Sequence, residues 1–172
     1  MAFTFNATAS SSSANSYGTV EEADDYFSSF LYNDDWSSLS TEQKQKLLVM
    51  ATRRLDVERY YGLRTVESQN LEFPRYYLVD WQGLPIGEAE VPTKLKEAQF
   101  ELAYYLLQNQ SRNPTETSDF GDPVSFSLGG TISVSYGKNN NLDQLPDVVI
   151  QLLRNIGPQI WKHKTRNRRL VM

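Results

Sequence analysis

A capping box at Ser40 and Gln43, followed by apolar residues at helical spacing, places one long amphipathic helix in the first half of this 172-residue chain. Each of the two side chains can satisfy a backbone N–H that the first helical turn leaves unpaired. Leu47, Leu48, Ala51 and Leu55 recur on one face, and Gly62 offers the left-handed residue that commonly closes a helix. The segment Gln69-Asn70-Leu71-Glu72-Phe73-Pro74-Arg75 follows. Its proline holds the preceding residue extended, and the planar fork of Arg75 suits a carboxylate or the carbonyls of a helix end.

The chain is long enough for one domain with a real core and too short for two comfortable ones. It holds no cysteine, which removes disulfides and thiolate metal sites and suits a reducing compartment. No apolar run approaches the roughly 20 residues that span a bilayer, and the start lacks a basic signal region, so a membrane role is not expected. Net charge is −4, but Lys162, Lys164, Arg166, Arg168 and Arg169 crowd the last eleven residues without an acid. The rest carries 12 basic against 21 acidic residues, a balance of −9. An acidic body with a basic tail suggests that the two meet different surfaces, or that one subunit's tail lies on another's body.

Taken in order, residues 1–16 read as a flexible arm, because the small polar run from Asn6 to Ser16 cannot bury enough apolar area to offset chain entropy. Thr19 and Glu22 form a second capping box, with Ala23, Tyr26, Phe27 and Phe30 spaced to dock on the core. Glu21, Glu22, Asp24 and Asp25 suit the positive end of that helix's dipole better than a metal, since neighbouring residues on a helix diverge. Asn33 to Ser38 is turn material carrying Trp36, which is expected to pack on the long helix. A short strand is expected at Tyr76-Tyr77-Leu78-Val79, then an exposed loop from Gln82 to Gly87. Pro92 opens a helix with two apolar stripes: Leu95, Ala98, Leu102, Tyr105 and Leu106 on one, Phe100, Ala103 and Leu107 on the other. Such a helix belongs in the middle of a bundle or at a subunit contact.

Asn113 to Ser118 breaks the pattern, and the period then changes. Val124, Phe126 and Leu128, then Ile132, Val134 and Tyr136, alternate with serines about Gly129-Gly130, which predicts a β-hairpin over 124–136 with one apolar face. Two strands alone are marginal, so the hairpin needs a neighbour, and its apolar residues are candidates for a subunit or tail-side contact. Pro146 opens a last helix with Val149, Leu152, Leu153 and Ile156 on one face, ended by Gly157-Pro158. The expected fold is mainly α: a small bundle of four main helices over 17–157 with an inserted hairpin and extended terminal arms.

No catalytic constellation emerges. His163 is the sole histidine and sits in the basic tail, so a Ser-His-Asp triad would have to be built on a terminal segment. Asp24-Asp25 and Asp34-Asp35 would act as acid and base only if one entered an apolar pocket. Gly129-Gly130 precedes strand, not helix, and cannot cradle phosphates. No enzyme activity, cofactor or metal is expected. The tail 158–172 admits three readings: a solvated terminus, unspecific phosphate binding, or a docking arm. Ile160, Trp161, Leu170 and Val171 beside the charges favour the docking arm, because apolar anchors suit a segment that folds on a partner.

The segments Ala14-Asn15-Ser16-Tyr17, Glu22-Ala23-Asp24-Asp25-Tyr26-Phe27, Ala51-Thr52-Arg53-Arg54-Leu55-Asp56, Tyr61-Gly62-Leu63-Arg64, Gln69 to Arg75 and Val91-Pro92 stand in a distinctive order and spacing. Together they resemble the head-to-tail adaptor, or head completion, proteins of tailed bacteriophages, some of which carry the label DnaT-like single-stranded-DNA-binding protein. The resemblance runs from about Ala14 to Ile156, including the hairpin and the Leu145-Pro146 helix; the tail extends past it. It implies a subunit of a twelvefold ring under the portal vertex, in the virion neck after assembly in the host cytoplasm. Such a ring extends the DNA channel, lets packaged DNA through without specific binding, and offers a platform to the next neck or tail protein. An acidic wall suits that, since carboxylates repel phosphates. The portal-docking residues would be Ile160, Trp161, Lys162, Lys164, Arg166, Arg168, Arg169 and Leu170. The alternative is a replication-type single-stranded-DNA binder, which needs a basic groove lined with stacking aromatics, whereas the tyrosines here lie largely at core spacing.

Overall fold

The computed structural model describes residues 3–31, 33–80, 82–109, 123–127, 133–136, 145–156 and 161–162. Ser40 caps the long helix as its sequence demands: its hydroxyl accepts the Gln43 N–H at 3.3 Å, and Gln43 Oε1 accepts the Ser40 N–H at 2.9 Å. Helix α3 then runs Thr41–Asp56, burying Leu47, Leu48, Ala51 and Leu55. It does not reach Gly62. Its end is set at Leu55, whose carbonyl takes the Glu58 N–H at 3.0 Å and the Tyr60 hydroxyl at 3.0 Å. Gly62 serves a different need: at φ +77° it lets the backbone pass the Tyr76 carbonyl oxygen where a Cβ would clash.

Before it come α1 (Val20–Ser28), with the Thr19–Glu22 capping box intact, and α2 (Asp34–Ser37). Val20, Ala23 and Phe27 of α1 are buried, but Phe30 lies past the helix end and is 40% exposed, contrary to its expected docking. After α3 come two-residue strands β1 (Arg59–Tyr60), β2 (Leu63–Arg64) and β3 (Arg75–Tyr76), then α4 (Thr93–Asn109). β2 pairs antiparallel with β3, setting Leu63 opposite Tyr76. The strand expected at Tyr76 to Val79 shrinks to Tyr76 and a lone bridge from Val79 to Pro85. Pro92 caps α4 instead of opening it, its carbonyl accepting the Leu95 and Lys96 N–H groups.

Both stripes of α4 are used inside the domain. Leu95, Ala98 and Leu102 are buried, and so are Phe100 and Ala103, because α4 packs on α3 and on α5 (Asp147–Ile156) at once. This is the middle-of-bundle alternative. Val149, Leu153 and Ile156 complete the core from α5, with Leu152 half-buried. Each large apolar side chain fully buried this way favours folding by about 1.5–3 kcal/mol.

The hairpin forms from β4 (Pro123–Ser127) and β5 (Ser133–Tyr136). Phe126 faces Val134, Ser125 faces Ser135 and Ser127 faces Ser133, the register that alternation demands. An irregularity between Pro123 and Ser125 takes Val124 out of the ladder. Leu128 and Ile132 lie outside the described residues. A last strand, β6 (Trp161–Lys162), pairs antiparallel with β1, Tyr60 opposite Trp161 and Arg59 opposite Lys162.

The stretch 6–16 is not a loose arm. Asn6 donates its N–H to Asn15 Oδ1 at 2.9 Å, its carbonyl accepts the Asn15 and Ser16 N–H groups, and Asn15 Nδ2 reaches the Thr4 carbonyl at 2.7 Å. Asn70 clamps the loop from outside, donating to the Ala14 carbonyl at 2.8 Å and to that of Ser11 at 3.1 Å. Short amide side chains thus replace the apolar burial the segment lacks.

Contacts along α3 orient the whole bundle. Tyr17 meets Asp56 at its C-terminal end, while Asp24 meets Lys44 at its N-terminal end, so α1 runs antiparallel to it. The sixteen residues of α3 span about 24 Å. β1, β2, β3, β6 and the N-terminal loop gather at the Asp56 end; Phe30, Leu31 and α2 lie at the Lys44 end.

Candidate functional site

The residues that carry the sequence resemblance turn out to bind one another. Arg75 is 8% exposed. Its guanidinium donates to the carbonyls of Tyr61 at 2.7 Å, Gly62 at 2.8 Å and Glu72 at 3.1 Å, and pairs with the Glu72 carboxylate. The carboxylate foreseen for it is present, whereas its carbonyl partners belong to the turn at Tyr61-Gly62 and the loop at Glu72 and not to a helix end. Gln69 is buried and fully engaged, accepting from Val66 N–H and Thr65 and donating to the carbonyls of Leu71 and Pro74. Tyr17 donates its hydroxyl to Asp56. Burial is the larger influence on that carboxyl and raises it to about 6, with the Tyr17 bond and the Glu72 N–H opposing and the Glu72 charge reinforcing. Burial likewise holds the Tyr17 and Tyr60 hydroxyls well above the ordinary phenol value.

A second polar centre was not legible at all. Gln99, wholly buried in α4, accepts the Gly18 N–H at 2.8 Å and donates to Ser16 Oγ at 2.7 Å, Thr52 Oγ1 at 2.9 Å and the Leu48 carbonyl at 3.1 Å. Its only sequence signal is a glutamine between two apolar stripes.

The acidic pairs do not converge. Glu22 closes its capping box and pairs with Lys96 at 2.6 Å; burial alone would raise its carboxyl, yet these bonds leave it below the ordinary value. Asp24 accepts from Trp36 Nε1 at 2.7 Å and from Lys44 at 2.9 Å, while Asp25, Asp34 and Asp35 are exposed. Among the described residues no three acids or histidines stand together as a metal site, and no helix is long and apolar enough to cross a membrane. Of the docking-arm residues, Trp161 and Lys162 lie in β6; Ile160, Lys164, Arg166, Arg168, Arg169 and Leu170 are outside the described residues, as is His163.

One exposed apolar cluster is a corner at the Asp56 end of α3. Leu63 is 64% and Tyr77 76% exposed, and Tyr61 and Tyr76 stand out beside them. Tyr76 faces Leu63 across the β2–β3 ladder, and the rings of Tyr76 and Tyr77 lie 6.0 Å apart. Arg59 and Arg64 are exposed on the same short strands. These three tyrosines are therefore not core residues, which corrects the reading of tyrosines at core spacing; Tyr17, Tyr26 and Tyr60 do pack inward. A lysine-, tyrosine- or arginine-rich motif search would not have found the corner, because the loop from Thr65 to Pro74 separates its halves.

Fold and surface define a mainly helical domain with an inserted two-stranded hairpin and an exposed aromatic, arginine-bearing corner. The chain belongs to the family described as "Putative DnaT-like ssDNA binding protein", whose profile matches residues 1–167. No curated protein and no solved structure matches it.

Proposed function

We propose that the protein is a structural adaptor that works by contact alone, a subunit of a ring between the portal of a phage head and the next neck or tail protein. The sequence resemblance supplies this reading. The observation that carries it is the corner of Leu63, Tyr61, Tyr76 and Tyr77 with Arg59 and Arg64, an aromatic and arginine composition that concentrates binding energy at protein interfaces. A body at −9 outside its tail also disfavours tight phosphate binding and suits a wall along which DNA slides. The basic tail, entering this corner through β6, docks on acidic portal residues. The test is co-sedimentation with the cognate portal, read with electron microscopy of the complex. A ring on the portal that is lost when residues 163–172 are removed and β6 kept supports the reading. Absence of the protein from portal complexes and from virions refutes it.

The second reading is a single-stranded-DNA-binding replication protein. The family's description speaks for it directly, and that description says nothing of virions. Tyr61, Tyr76 and Tyr77 also provide the stacking faces that such binding uses, flanked by two arginines. A filter-binding titration with single-stranded DNA across salt separates the two. Tight, steeply salt-dependent binding by residues 1–162 favours the replication reading, whereas binding that disappears with the tail favours the adaptor.

A further inference from the structure

The two ends of the bundle are unlike and complementary. At the Lys44 end of α3, Leu31 is 84% and Phe30 40% exposed, and the exposed carboxylates of Asp25, Asp34 and Asp35 flank them. At the Asp56 end, Leu63, Tyr76 and Tyr77 are exposed beside Arg59 and Arg64. Three acids at that second end are held by neighbours in the same chain, Asp56 by Tyr17, Glu58 by Arg54 and Glu72 by Arg75, and Glu67 is exposed in the loop beside them. The basic stretch of the sequence also starts there, since Lys162 pairs with Arg59.

From this we infer that copies of the chain associate head to tail, the Phe30-Leu31 knob of one subunit seating on the Leu63/Tyr76/Tyr77 corner of the next. The inference deepens the proposed self-assembly and rests on it, by naming which faces meet. Two different patches on one subunit make a heterologous contact, which closes into a ring or continues as a filament according to the rotation between neighbours. Neither patch can satisfy the other within one copy, because α3 holds them about 24 Å apart. Apolar residues supply the buried centre of the contact, and the opposite charges fix its polarity and keep like ends from pairing. The contact does not call on α4, whose stripe residues Leu95, Ala98, Phe100, Leu102 and Ala103 are already buried inside the domain.

Sedimentation velocity of the full chain over rising concentration and at two salt levels tests this. The double changes Asp34→Lys with Asp35→Lys, and Arg59→Glu with Arg64→Glu, should each raise the concentration of half-assembly about tenfold or more. An equimolar mixture of the two variants should restore assembly, since each reversed end then meets an opposite charge. A second readout uses the absence of native cysteine. Under mild oxidation, Leu31→Cys and Leu63→Cys chains mixed together should give the 31–63 disulfide in preference to either homodimer. Assembly that ignores both charge reversals overturns the end-to-end contact while leaving a ring possible through other faces. A chain that stays monomeric and forms no 31–63 disulfide also overturns it, and portal co-sedimentation then judges the adaptor reading separately.

Discussion

Gln99 on α4 and Gly18 before α1 are joined by one hydrogen bond of 2.8 Å from the glycine N–H to the glutamine Oε1, across 81 positions of sequence. The same amide holds Ser16, Thr52 and the Leu48 carbonyl, so one side chain ties the N-terminal loop, α3 and α4 into a single unit.

Replacing Gln99 with leucine keeps the volume and removes every one of those bonds. The Gly18 N–H loses its partner in a buried site, and leaving a buried donor unpaired costs about 1–3 kcal/mol. Gln99→Leu is expected to lower unfolding free energy by about 2–4 kcal/mol in urea titrations with an unchanged slope.

Arg75→Lys tests whether the fork or only the charge matters. Lysine cannot span the Tyr61, Gly62 and Glu72 carbonyls together with the Glu72 carboxylate. A loss of about 2–4 kcal/mol is expected, against almost none for Arg53→Lys on the exposed side of α3.

Asp56 gives the protein a pH signature of unusual sign. Its folded value of about 6 stands above the ordinary 3.8, so the folded state resists ionising it and this group opposes folding above pH 6. The penalty fades as pH falls from about 6 toward 4. Asp56→Asn should therefore be the more stable protein at pH 7.5, by roughly 1–3 kcal/mol, and that advantage should shrink by about half at pH 5. An advantage that stays constant with pH would show that the carboxyl titrates normally. Tyr17, Tyr60 and Glu72 are the groups that interact with it.

Gly62→Ala places a methyl against the Tyr76 carbonyl oxygen at a backbone angle that side chains rarely adopt. It is expected to cost about 2 kcal/mol or more and to loosen the β2–β3 pair, which proteolysis between Tyr61 and Tyr77 would report.

Tyr77→Gly should separate stability from contact. Tyr77 holds a left-handed φ of +62° and is largely exposed, so glycine relieves the backbone and gives up little burial. Thermal stability within about 1 kcal/mol of the parent, together with weakened portal or single-stranded-DNA binding, is the expected pair of results. Unchanged binding to both would remove this residue from the contact.

The helical framework could be read from the sequence because its signals are local. Both capping boxes formed as their spacing dictates, and the core faces of α3 and α5 follow their apolar periodicity. Signals that depend on distant partners were not readable in the same way. Residues 6–16 are held by Asn70, more than fifty positions away, and Gln99 owes its burial to partners in two other segments, the N-terminal loop and α3. Gly62 was legible as a left-handed residue but not as a close-approach site, since Tyr76 comes back to it only after the Gln69–Arg75 segment has folded. The contact corner escaped for the same reason: Leu63 and Tyr76 are neighbours only through the β2–β3 ladder.

The N-terminal loop and β6 both rest at the Asp56 end of α3, and this has a practical consequence for handling the protein. A fluorophore, affinity handle or solid support attached through either of these segments would crowd the arginine-bearing corner and leave the Leu31 end bare. Immobilised molecules would then all stand the same way up, able to capture a passing copy through one end only. A label meant to leave assembly undisturbed belongs elsewhere, nearer the middle of α3 at the exposed Met50.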